Sequence, residues 1–582
     1  MNQRSALRVW LPILGAMTAL SCVPAAKTTK AGLLPADPSR VGKILARMTL
    51  EEKIGQLVAC RFTGDFANFG SAAVKDLDAL VVNQKIGGLI LFGGEVLETA
   101  TLTNHFQRLA KLPLLMASDF ERGTGNQITG ATLFPPLMAI GAAGSEELAY
   151  DMGKITAIEG RAFGIHMTYA PVVDVNINPA NPIINTRAIG EDPALVGRLA
   201  KAFIRGCQEN GMIATAKHFP GHGDTDQDSH SRLPTISADR ARLDRVELAP
   251  YRDAIAAGVQ AVMTAHLFVP ALDPTANLPA TLSEPILTGV LRKELGFKGL
   301  IVTDAMEMAG ITNSYSTEEA SLKALLAGVD LLLLPPEPAK VIASLVEAAR
   351  AGKLPRARID DAVRRILTLK LRLGLFKNRL VDVRALPRVI AFKPSLDRAW
   401  QAFESAATLV KNEGAILPLA PDRKLAVFAL SSDPGDYYAG RPFAAEVAKR
   451  RPGTKIFYAD GDTGWDSLTV DLAKAQNADI AVFALFSRLG AGKGTVDLEP
   501  KHVTLIQKWI GAGKPAVVVS FGSPYFLGHF QEAAAYLCMY RNTPQTQPIA
   551  ARVLFGELDP KGKLPVSLPG PYPAGHGLSF VR

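Results

Sequence analysis

The densest group of chemically versatile side chains lies between residues 217 and 230, which read KHFPGHGDTDQDSH. This segment holds three histidines and three aspartates, together with the turn formers Pro220 and Gly221. Histidine and aspartate are residue types that bind metal ions and move protons in catalysis. The segment therefore has three candidate roles: a zinc site, a calcium loop or an acid–base pair.

Neither metal site fits the spacing. A zinc-peptidase helix needs a glutamate directly after its first histidine, but Phe219 occupies that position, in front of the helix-breaking Pro220. A calcium loop that begins at Asp224 needs glycine at its sixth position and glutamate at its twelfth, where the chain has Ser229 and Thr235. We therefore expect no metal ion, and nothing in the sequence implies an organic cofactor.

The third role uses Asp228 and His230 as a pair. Two residues apart on an extended loop, their side chains can lie on the same side of the backbone. The carboxylate would then hold the imidazole in one tautomer and stabilise its charged form, so that His230 gives and later takes back a proton near neutral pH. The alternative is a solvated acidic loop without a chemical role.

A second carboxylate supplies the partner that such chemistry needs. Residues 300–303, LIVT, form a strongly apolar run, and Asp304 follows directly. At the end of a buried strand, its carboxylate could attack an electrophilic carbon. Aspartate is also a favoured helix N-cap, so position alone leaves both roles open.

Short apolar runs between residues 87 and 335 must position these side chains. The runs are nearly continuous in branched aliphatic residues, as strands buried on both faces of a parallel sheet are. They span Gly87–Phe92, Pro113–Asp119, His166–Val175, Met212–His218, Val259–His266, Gly299–Asp304 and Val329–Pro335. Most end in polar residues, and the carboxyl ends of barrel strands carry the chemistry. The pattern predicts an α/β fold with an N-terminal (β/α)8-type TIM barrel, in which the first unit, near residues 44–61, is ambiguous.

The barrel is predicted over residues 38–376, with a last helix over Arg358–Phe376 and Gly374 as its C-cap. Residues 377–395 are basic, contain two prolines and lack periodicity, which predicts a linker. Residues 396–582 predict a smaller open sheet with helices on its faces, an α/β sandwich. Its expected strands are Lys424–Leu430, Lys455–Asp460, Ala478–Phe486, Pro515–Gly522 and Ala534–Tyr540. A glycine-rich turn at 490–494 lacks the strand and helix context of a nucleotide-binding loop.

Composition excludes several classes of protein. Hydrophobic residues make up 48% of the 582 residues and charged residues 20%, which excludes intrinsic disorder. The net charge is +9, but no long basic run or basic–aromatic stripe occurs, so we expect no nucleic-acid partner. Cys60, Cys207 and Cys538 lack metal-site spacing and lie in apolar or helical contexts, so we expect buried free thiols. The oligomeric state stays open.

The first 26 residues have the pattern of an export signal. Arg4 and Arg8 precede an apolar stretch over residues 9–20, which is shorter than a membrane-spanning helix. Small residues then stand directly before Cys22, as in a bacterial lipoprotein processing site. We expect an exported protein, periplasmic or at the cell surface, with a lipid anchor at Cys22. The alternative is ordinary signal cleavage a few residues later.

Together these motifs resemble glycoside hydrolase family 3, and within it the bacterial β-N-acetylglucosaminidases. The likeness rests on the long motif at 217–230, on the strand end at 301–306, and on NTR at 185–187 followed by GEDP at 190–193. Beyond these motifs, residues 364–376, 406–419 and 562–565 are also similar to the family. The resemblance implies a carbohydrate substrate and a retaining reaction through a covalent intermediate on an aspartate.

The resemblance also implies a role for each matching residue. Asp304 is the nucleophile, His230 is the acid/base, and Asp228 is the partner of His230. The positions that bind the sugar are Asp119, Arg187, Lys217 and His218. A bland alternative for Lys217 is a surface lysine at a strand end.

The chain departs from the family pattern after Asp119. The family's usual Glu-Gly-Gly-Arg is replaced by ERGT at residues 121–124, and the second arginine expected eight positions after Asp119 is Gln127. One cationic sugar contact is therefore either missing or supplied by Arg122. This leaves the fine specificity open.

Three other functions compete with an exo-acting β-N-acetylglucosaminidase. A family 3 β-glucosidase or β-xylosidase would place its acid/base in the C-terminal region, where Glu499 is the candidate, and would leave the Asp228–His230 pair without a task. A phosphorylase would exploit the histidine, because a carboxylate repels phosphate. A wall-binding lipoprotein would need no catalytic residues. The sequence also leaves open whether the natural substrate is a cell-wall fragment or a chitin oligomer.

Overall fold

The computed structural model describes residues 32–436, 438–487 and 497–580. The predicted export signal with Cys22, and the glycine-rich turn at 490–494, lie outside these ranges. Two sheets organise the described chain, one of nine strands and one of six. The first sheet closes on itself, because β1 (Val58–Gly64) pairs with both its chain neighbour β2 (Gly88–Glu95) and the last strand of that sheet.

Eight strands form a closed barrel in which the pairings are parallel. After β1 and β2 come β3 (Leu115–Ser118), the two-residue edge strand β4 (Ile128–Thr129), β5 (Met167–Thr168), β6 (Ile213–Phe219), β7 (Ala261–Thr264), β8 (Leu300–Ala305) and β9 (Leu331–Leu333). Only β4 stands outside the barrel, paired with the end of β2. Barrel strands such as β3, β6 and β7 are buried along their whole length, as their continuous apolar sequences require. The predicted TIM-type α/β fold is confirmed.

Two strands differ in extent from the prediction. The first unit, which the sequence left ambiguous, is a helix over Leu50–Gly55 followed by β1. The run 166–175 pairs as a strand over Met167–Thr168 alone, since Pro171 has no N–H to donate to a ladder. Beyond Pro171 the chain still follows β6, where the N–H of Val173 donates to the Lys217 carbonyl at 2.8 Å. This course brings Asp174 beside the end of β6.

Helices surround the barrel and cover the second sheet. The predicted last barrel helix is observed, although it is shifted by a few residues, and Gly374 follows it with a φ of 74°. The α-helices are α1 (Pro38–Ala46), α2 (Leu50–Gly55), α3 (Ala72–Ala79), α4 (Val96–Leu109), α5 (Leu137–Ala143), α6 (Glu146–Ala162), α7 (Pro193–Gln208), α8 (Arg240–Arg245), α9 (Ala249–Ala256), α10 (Ala309–Thr312), α11 (Thr317–Ala327), α12 (Pro338–Arg350), α13 (Arg356–Arg372), α14 (Leu386–Val389), α15 (Lys393–Ala406), α16 (Arg441–Arg450), α17 (Trp465–Ala475), α18 (Pro500–Gly511) and α19 (Thr546–Leu554).

The second sheet is mixed. Its strands are β10 (Thr408–Asn412), β11 (Leu425–Ser431), β12 (Lys455–Ala459), β13 (Ile480–Phe486), β14 (Ala516–Ser520) and β15 (Ala535–Cys538), in the order β10-β15-β14-β13-β11-β12. Five of them match predicted runs. The sixth, β10, was not expected, and it pairs antiparallel with β15 at the edge of the sheet. Apolar clusters lie on both faces of this sheet, so helices cover it from two sides.

The stretch predicted as a linker is partly helical. It contains α14, and α15 begins at Lys393, so the predicted boundary at residue 396 falls inside a helix. Pro394 does not break this helix, because proline is well tolerated in the first turn. Arg398 on α15 pairs with Asp151 of the barrel helix α6 at 2.5 Å. The segment is thus packed against the barrel.

The two domains meet through motifs that the sequence analysis had singled out. The N–H of Glu191 donates to the Pro565 carbonyl at 3.0 Å. The Glu191 carboxylate accepts hydrogen bonds from the Ser567 N–H and hydroxyl at 2.8 and 2.6 Å. These contacts hold the C-terminal domain against the rim of the barrel.

Cys60, Cys207 and Cys538 are buried free thiols, as predicted. Among the described residues, no helix has both the length and the apolar character needed to cross a bilayer.

Candidate active site

Polar side chains from different barrel strands converge on one cavity of about 570 Å³. Asp119 follows β3, Lys217 and His218 end β6, and Asp304 lies near the end of β8. Because parallel strands end at the same edge of a barrel, these side chains meet at its carboxyl-terminal mouth. His230, from the long loop after β6, also lines the cavity. Most of the residues predicted for the site thus face one space.

Lys217 lies at the centre of a buried ionic network. Its Nζ donates to Asp119 Oδ1 at 2.7 Å and is 2.8 Å from Glu121 Oε1. Glu121 is also held by Arg187, through Nε at 3.0 Å and a terminal nitrogen at 2.8 Å. Burial alone would raise the pKa of Glu121, but Arg187 and Lys217 outweigh it and lower that pKa well below its usual value. Lys217 is 2% exposed, so the surface-lysine interpretation is wrong.

His218 is oriented by Asp174. Its Nδ1 lies 2.7 Å from Asp174 Oδ2, and its backbone N–H donates to Asp174 Oδ1 at 3.1 Å. The N–H of His222 donates to the same oxygen at 2.7 Å. The other ring nitrogen of His218, Nε2, is 3.4 Å from an Arg187 terminal nitrogen. One buried carboxylate therefore sets the direction of His218 and the path of the loop that follows.

His222 acts in the structure of this loop. Its ring nitrogens contact the hydroxyls of Thr225 at 3.0 Å and Ser229 at 3.1 Å. Burial lowers the pKa of His222 to about 4, against the opposing effect of Asp174, so the ring is neutral at pH 7. The two hydroxyls tie the start of the loop to its far end, next to His230.

The Asp228–His230 pair has the geometry that its spacing predicted. His230 Nδ1 lies 2.8 Å from Asp228 Oδ1, which also accepts the backbone N–H of His230 at 2.8 Å. The Asp228 side chain is 1% exposed, whereas that of His230 is 35% exposed. The carboxylate thus sits behind the ring and holds it, and the His230 ring faces the cavity.

Asp304 is an ionised carboxylate inside the cavity. Burial would raise its pKa, but His218, His266, the N–H of Ala305 and Lys217 outweigh burial and lower the pKa to about 2. The N–H of Ala305 donates to Asp304 Oδ1 at 2.8 Å. The next helix, α10, begins five residues later with Met308 at its N-cap, so Asp304 does not cap a helix. Its position suits a nucleophile.

The segment that departs from the family pattern also borders the cavity. Gln127 Oε1 accepts the N–H of Gly93 at 3.0 Å, and Arg122 Nε donates to Asn126 Oδ1 at 2.8 Å. Both Arg122 and Gln127 line the cavity. Gln127 is therefore occupied with the backbone of β2, and Arg122 supplies positive charge in this part of the site.

Sequence reasoning missed several residues of the site. Glu121 and Asp174 stood in segments already singled out, but the sequence did not show which cation each would hold. His266 ends a predicted strand, and its Nε2 lies 3.0 Å from the carbonyl oxygen of Ala305. Arg541, which comes from the C-terminal domain, also lines the cavity, and no sequence pattern pointed to it. Glu499, the rival acid, is not among the residues that line the described cavity.

Within residues 32–436, 438–487 and 497–580, no group of three or more histidine, cysteine, aspartate or glutamate side chains is arranged to hold a metal ion. In the acidic loop at 224–228, Asp224 accepts a hydrogen bond from Arg242 at 2.7 Å.

Two family matches cover most of the chain. Residues 49–369 match the glycosyl hydrolase family 3 N-terminal domain, and residues 407–574 match the family 3 C-terminal domain. The first match spans the barrel and the second spans the mixed sheet. More than half of the chain is covered by the first match alone.

Relatives and solved structures agree with these matches. A β-N-acetylglucosaminidase/β-glucosidase of Cellulomonas fimi is 28% identical over 90% of this chain and 94% of its own. β-Hexosaminidase A of Pseudoalteromonas piscicida is 36% identical over 59% of this chain and 62% of its own. A glycoside hydrolase family 3 β-N-acetylglucosaminidase structure from Paenibacillus sp. FPU-7 has a TM-score of 0.78 and 32% identity, and covers 90% of this chain and 99% of that one.

A β-glucoside phosphorylase structure also matches, with a TM-score of 0.80 and 26% identity over 91% of this chain and 96% of that one. Proteins that are named for different reactions, a hydrolase and a phosphorylase, therefore share this architecture. Taken together, the barrel, the mixed sheet and the two matches show that this chain belongs to glycoside hydrolase family 3.

Proposed function

We propose that this protein is a retaining exo-glycosidase that releases terminal β-linked N-acetylglucosamine from cell-wall fragments or chitooligosaccharides. One observation carries the proposal: the cavity presents an ionised carboxylate, Asp304, together with a histidine, His230, that has a buried carboxylate behind it. A nucleophile and a proton donor on one cavity are what a double displacement at a sugar carbon requires. The relatives named for β-N-acetylglucosaminidase activity support the choice of sugar.

In the first step, a carboxylate oxygen of Asp304 attacks the anomeric carbon of the terminal sugar. The bond from that carbon to the bridging oxygen breaks, and its electron pair passes to the oxygen. His230 donates a proton to this oxygen, so the remaining sugar leaves as a neutral alcohol. Asp228 stabilises the imidazolium before transfer and keeps the ring in place.

In the second step, water attacks the same carbon from the side that the leaving group vacated. His230 takes a proton from this water, and the bond to Asp304 breaks, so the carboxylate is restored. Two inversions give overall retention at the anomeric carbon. A neutral histidine places no negative charge beside the covalent intermediate, whereas an ionised carboxylate at the same position would.

Asp119, Lys217, Arg187 and His218 are assigned to binding of the terminal sugar. Lys217 and Asp119 hold each other, and Glu121 holds Arg187, so the polar groups are oriented before the substrate arrives. Because these groups are already oriented in the free protein, less entropy is lost on reaching the transition state.

A phosphorylase is the second candidate, favoured by the likeness to the β-glucoside phosphorylase structure. Phosphate would replace water in the second step and release a sugar 1-phosphate. A single panel separates the candidates: aryl N-acetylglucosaminide, glucoside and xyloside, each assayed with and without phosphate. We expect fast hydrolysis of the N-acetylglucosaminide without phosphate. A rate and product that require phosphate would assign the phosphorylase, and no turnover at all would assign a binding protein.

We also propose export, with a lipid anchor at Cys22 and a role in recycling of cell-wall peptidoglycan. The support is the pattern of residues 1–26, in which basic residues, an apolar stretch and small residues precede this cysteine. Membrane fractionation of cells that express the full chain tests it, with Cys22→Ala as the comparison. The wild type should stay with the membrane and the variant should not; equal partition of both would contradict the anchor.

A further inference from the structure

A groove separate from the active site lies at the amino-terminal end of the barrel. It has a volume of about 510 Å³ and runs between α1, the start of α2 and the segment that follows α4. Lys111 and Leu112 on that segment come shortly before β3, and residues just before a barrel strand lie at the end opposite the active site. The catalytic scheme above uses no residue that lines this groove.

Three cations of α1 and its C-cap line the groove on one side. Arg40, Lys43 and Arg47 are exposed, and their spacing of three and four residues places them on one face of the helix. Arg40 lies over the ring of Phe376, at 5.6 Å from the ring centroid. Within the described ranges, none of the three cations has a carboxylate at ion-pairing distance. Their charges are therefore not neutralised by that part of the protein.

The other side of the groove adds little negative charge. Among the described residues that line it, Glu52 is the one carboxylate, and it pairs with Lys111. Lys85 lines an adjoining pocket and donates to the Asn83 carbonyl at 3.3 Å. Five cations and one carboxylate thus line the groove and this pocket, so the surface attracts anions.

Apolar side chains lie between these cations. Ile44, Met48 and Leu112 line the groove and are half-buried. Val82 and Leu109 are 47% and 38% exposed, and each directly adjoins a residue of the neighbouring pocket. Exposed aliphatic groups beside cations are typical of a surface that contacts lipid headgroups and the outermost part of the acyl chains. A small soluble anion would leave these apolar groups without a partner.

The first described residues lie at the same end of the barrel. The N–H of Leu33 donates to the carbonyl of Gln208, which ends α7 shortly before β6, at 3.3 Å. The N–H of Leu34 donates to the carbonyl of Arg372, the last residue of α13, at 2.7 Å. The helices of a barrel run opposite to its strands, so both contacts place this point of the chain at the amino-terminal end.

The residues that precede this point bear on what the groove binds. Residues 23–31 read VPAAKTTKA, with two lysines and no acidic residue, so this segment would repel the cations of the groove. Ten residue steps separate Cys22 from Gly32, and a chain of that length spans at most about 35 Å. A lipid anchor at Cys22 would therefore hold the amino-terminal end of the barrel close to a membrane.

We propose that the amino-terminal end of the barrel binds the anionic phospholipid surface of a membrane, with Arg40, Lys43 and Arg47 at the lipid phosphates. The mouth of the active site then faces away from the membrane. Each basic group at such a surface strengthens binding about fivefold. Salt screens this attraction, so a salt wash distinguishes it from the covalent anchor at Cys22. The inference goes beyond the proposed reaction and does not depend on it.

The test uses the full chain with Cys22→Ala as the parent protein, so that no acyl chain contributes. Co-sedimentation with vesicles of phosphatidylcholine, with and without phosphatidylglycerol, gives the partition coefficient. Arg40→Gln/Lys43→Gln/Arg47→Gln in this parent should bind the phosphatidylglycerol vesicles at least tenfold more weakly. The proposal would be wrong if this triple variant bound like the parent, or if the parent did not prefer the anionic vesicles.

A matched triple variant controls for net charge. Lys424→Gln/Lys449→Gln/Lys561→Gln removes the same three charges from exposed positions of the C-terminal domain, which packs at the opposite end of the barrel. It should bind within about twofold of the parent. All three proteins share residues 1–31, so the apolar stretch at 9–20 contributes equally to each. A loss as large as that of the groove variant would mean a general effect of charge, against the proposal.

A second pair of variants separates a membrane from a soluble polyanion. Val82→Gln removes an exposed aliphatic group beside the groove, and Val470→Gln is the same change on α17, where the valine is 51% exposed. Val82→Gln should weaken vesicle binding several-fold, and Val470→Gln should not. Equal binding by Val82→Gln and the parent would leave charge alone as the attraction and assign the groove to a soluble polyanion. None of these measurements uses turnover, so failure of the glycosidase assignment would leave this result unchanged.

Discussion

The two ends of the barrel both contain buried charges, but they use them differently. At the carboxyl-terminal mouth, Lys217 and Asp304 face a cavity of about 570 Å³. At the opposite end, Asp330 just before β9 is fully buried and is surrounded by Arg292 at 2.6 Å, Arg358 at 2.9 Å and Arg365 at 3.1 Å. The charges at the mouth leave polar atoms accessible to a ligand. The charges at the opposite end, the closed end, are enclosed by other groups of the protein.

Hydrogen bonds show the same contrast. Asp330 also accepts the backbone N–H of Ile301 at 3.0 Å, so both its oxygens are used within the protein. His230 at the mouth has one ring nitrogen held by Asp228 and the ring partly exposed to the cavity. Buried charge by itself is therefore a poor sign of a catalytic site. What distinguishes the mouth is that some of its polar atoms face the open cavity and can still form a bond to a ligand.

Asp304→Asn should give the largest effect on activity, and it should do so without affecting stability. Removal of the nucleophile at the mouth should lower kcat/KM for a chromogenic N-acetylglucosaminide by about 10⁴-fold or more, because the covalent step is lost. The melting temperature should not fall, since no buried cation loses its main partner. An active variant, after contamination by wild type is excluded, would remove Asp304 from the mechanism.

The matched change at the closed end is Asp330→Asn. It leaves three arginines without their shared carboxylate, and breaking such a buried pair costs about 3–5 kcal/mol. Urea denaturation should show this loss of stability, while kcat measured on the folded fraction should stay near that of the wild type. A large loss of kcat without a loss of stability would contradict the contrast between the two ends.

Asp228→Asn tests whether Asp228 supports His230 as the proton donor at the mouth. General acid catalysis contributes about 10²–10⁴-fold, and this variant should lose roughly the lower figure on disaccharides because His230 is no longer held and stabilised as a donor. An aryl substrate with a good leaving group needs little protonation, so its loss should be several-fold smaller. Equal losses on both substrates would argue that Asp228 only supports the loop.

A smaller effect is expected at Lys370, another buried group of the closed end. Its Nζ donates to Gln56 Oε1 at 2.6 Å, and burial lowers the pKa of Lys370 to about 7. In the unfolded chain that pKa is about 10.4, so between these values the unfolded state binds more protons and stability rises with pH. Measured from pH 7 to 9, the wild type should gain on the order of 2 kcal/mol relative to Lys370→Met.

The control for this prediction is activity at pH 7, which should be similar in both proteins because Lys370 does not line the cavity. Parallel stability curves for the two proteins would contradict the lowered pKa, because they would show that Lys370 stays protonated in the folded protein over this whole range.

Much of the barrel could be predicted from the sequence, because its strands are buried on both faces. Such burial requires continuous apolar runs, as in β6. The same logic placed Asp304 and Lys217 at strand ends. By contrast, β10 escaped prediction, since it is an edge strand of five residues whose partner, β15, is more than one hundred residues away. The predicted linker was partly wrong because proline permits a helix to start as readily as it ends one.

The sequence by itself determined the local chemistry: the run of strand ends, and the Asp228–His230 pair, whose two-residue spacing already places both side chains on one side of a loop. The tertiary structure decided the partners. Lys217 meets Asp119 across 98 residues of chain, and His218 meets Asp174 across 44. Arg541 reaches the cavity only because a second domain packs against the barrel rim. Spacing along the chain encodes contacts within one element, whereas contacts between elements depend on the closure of the barrel and the docking of the domains.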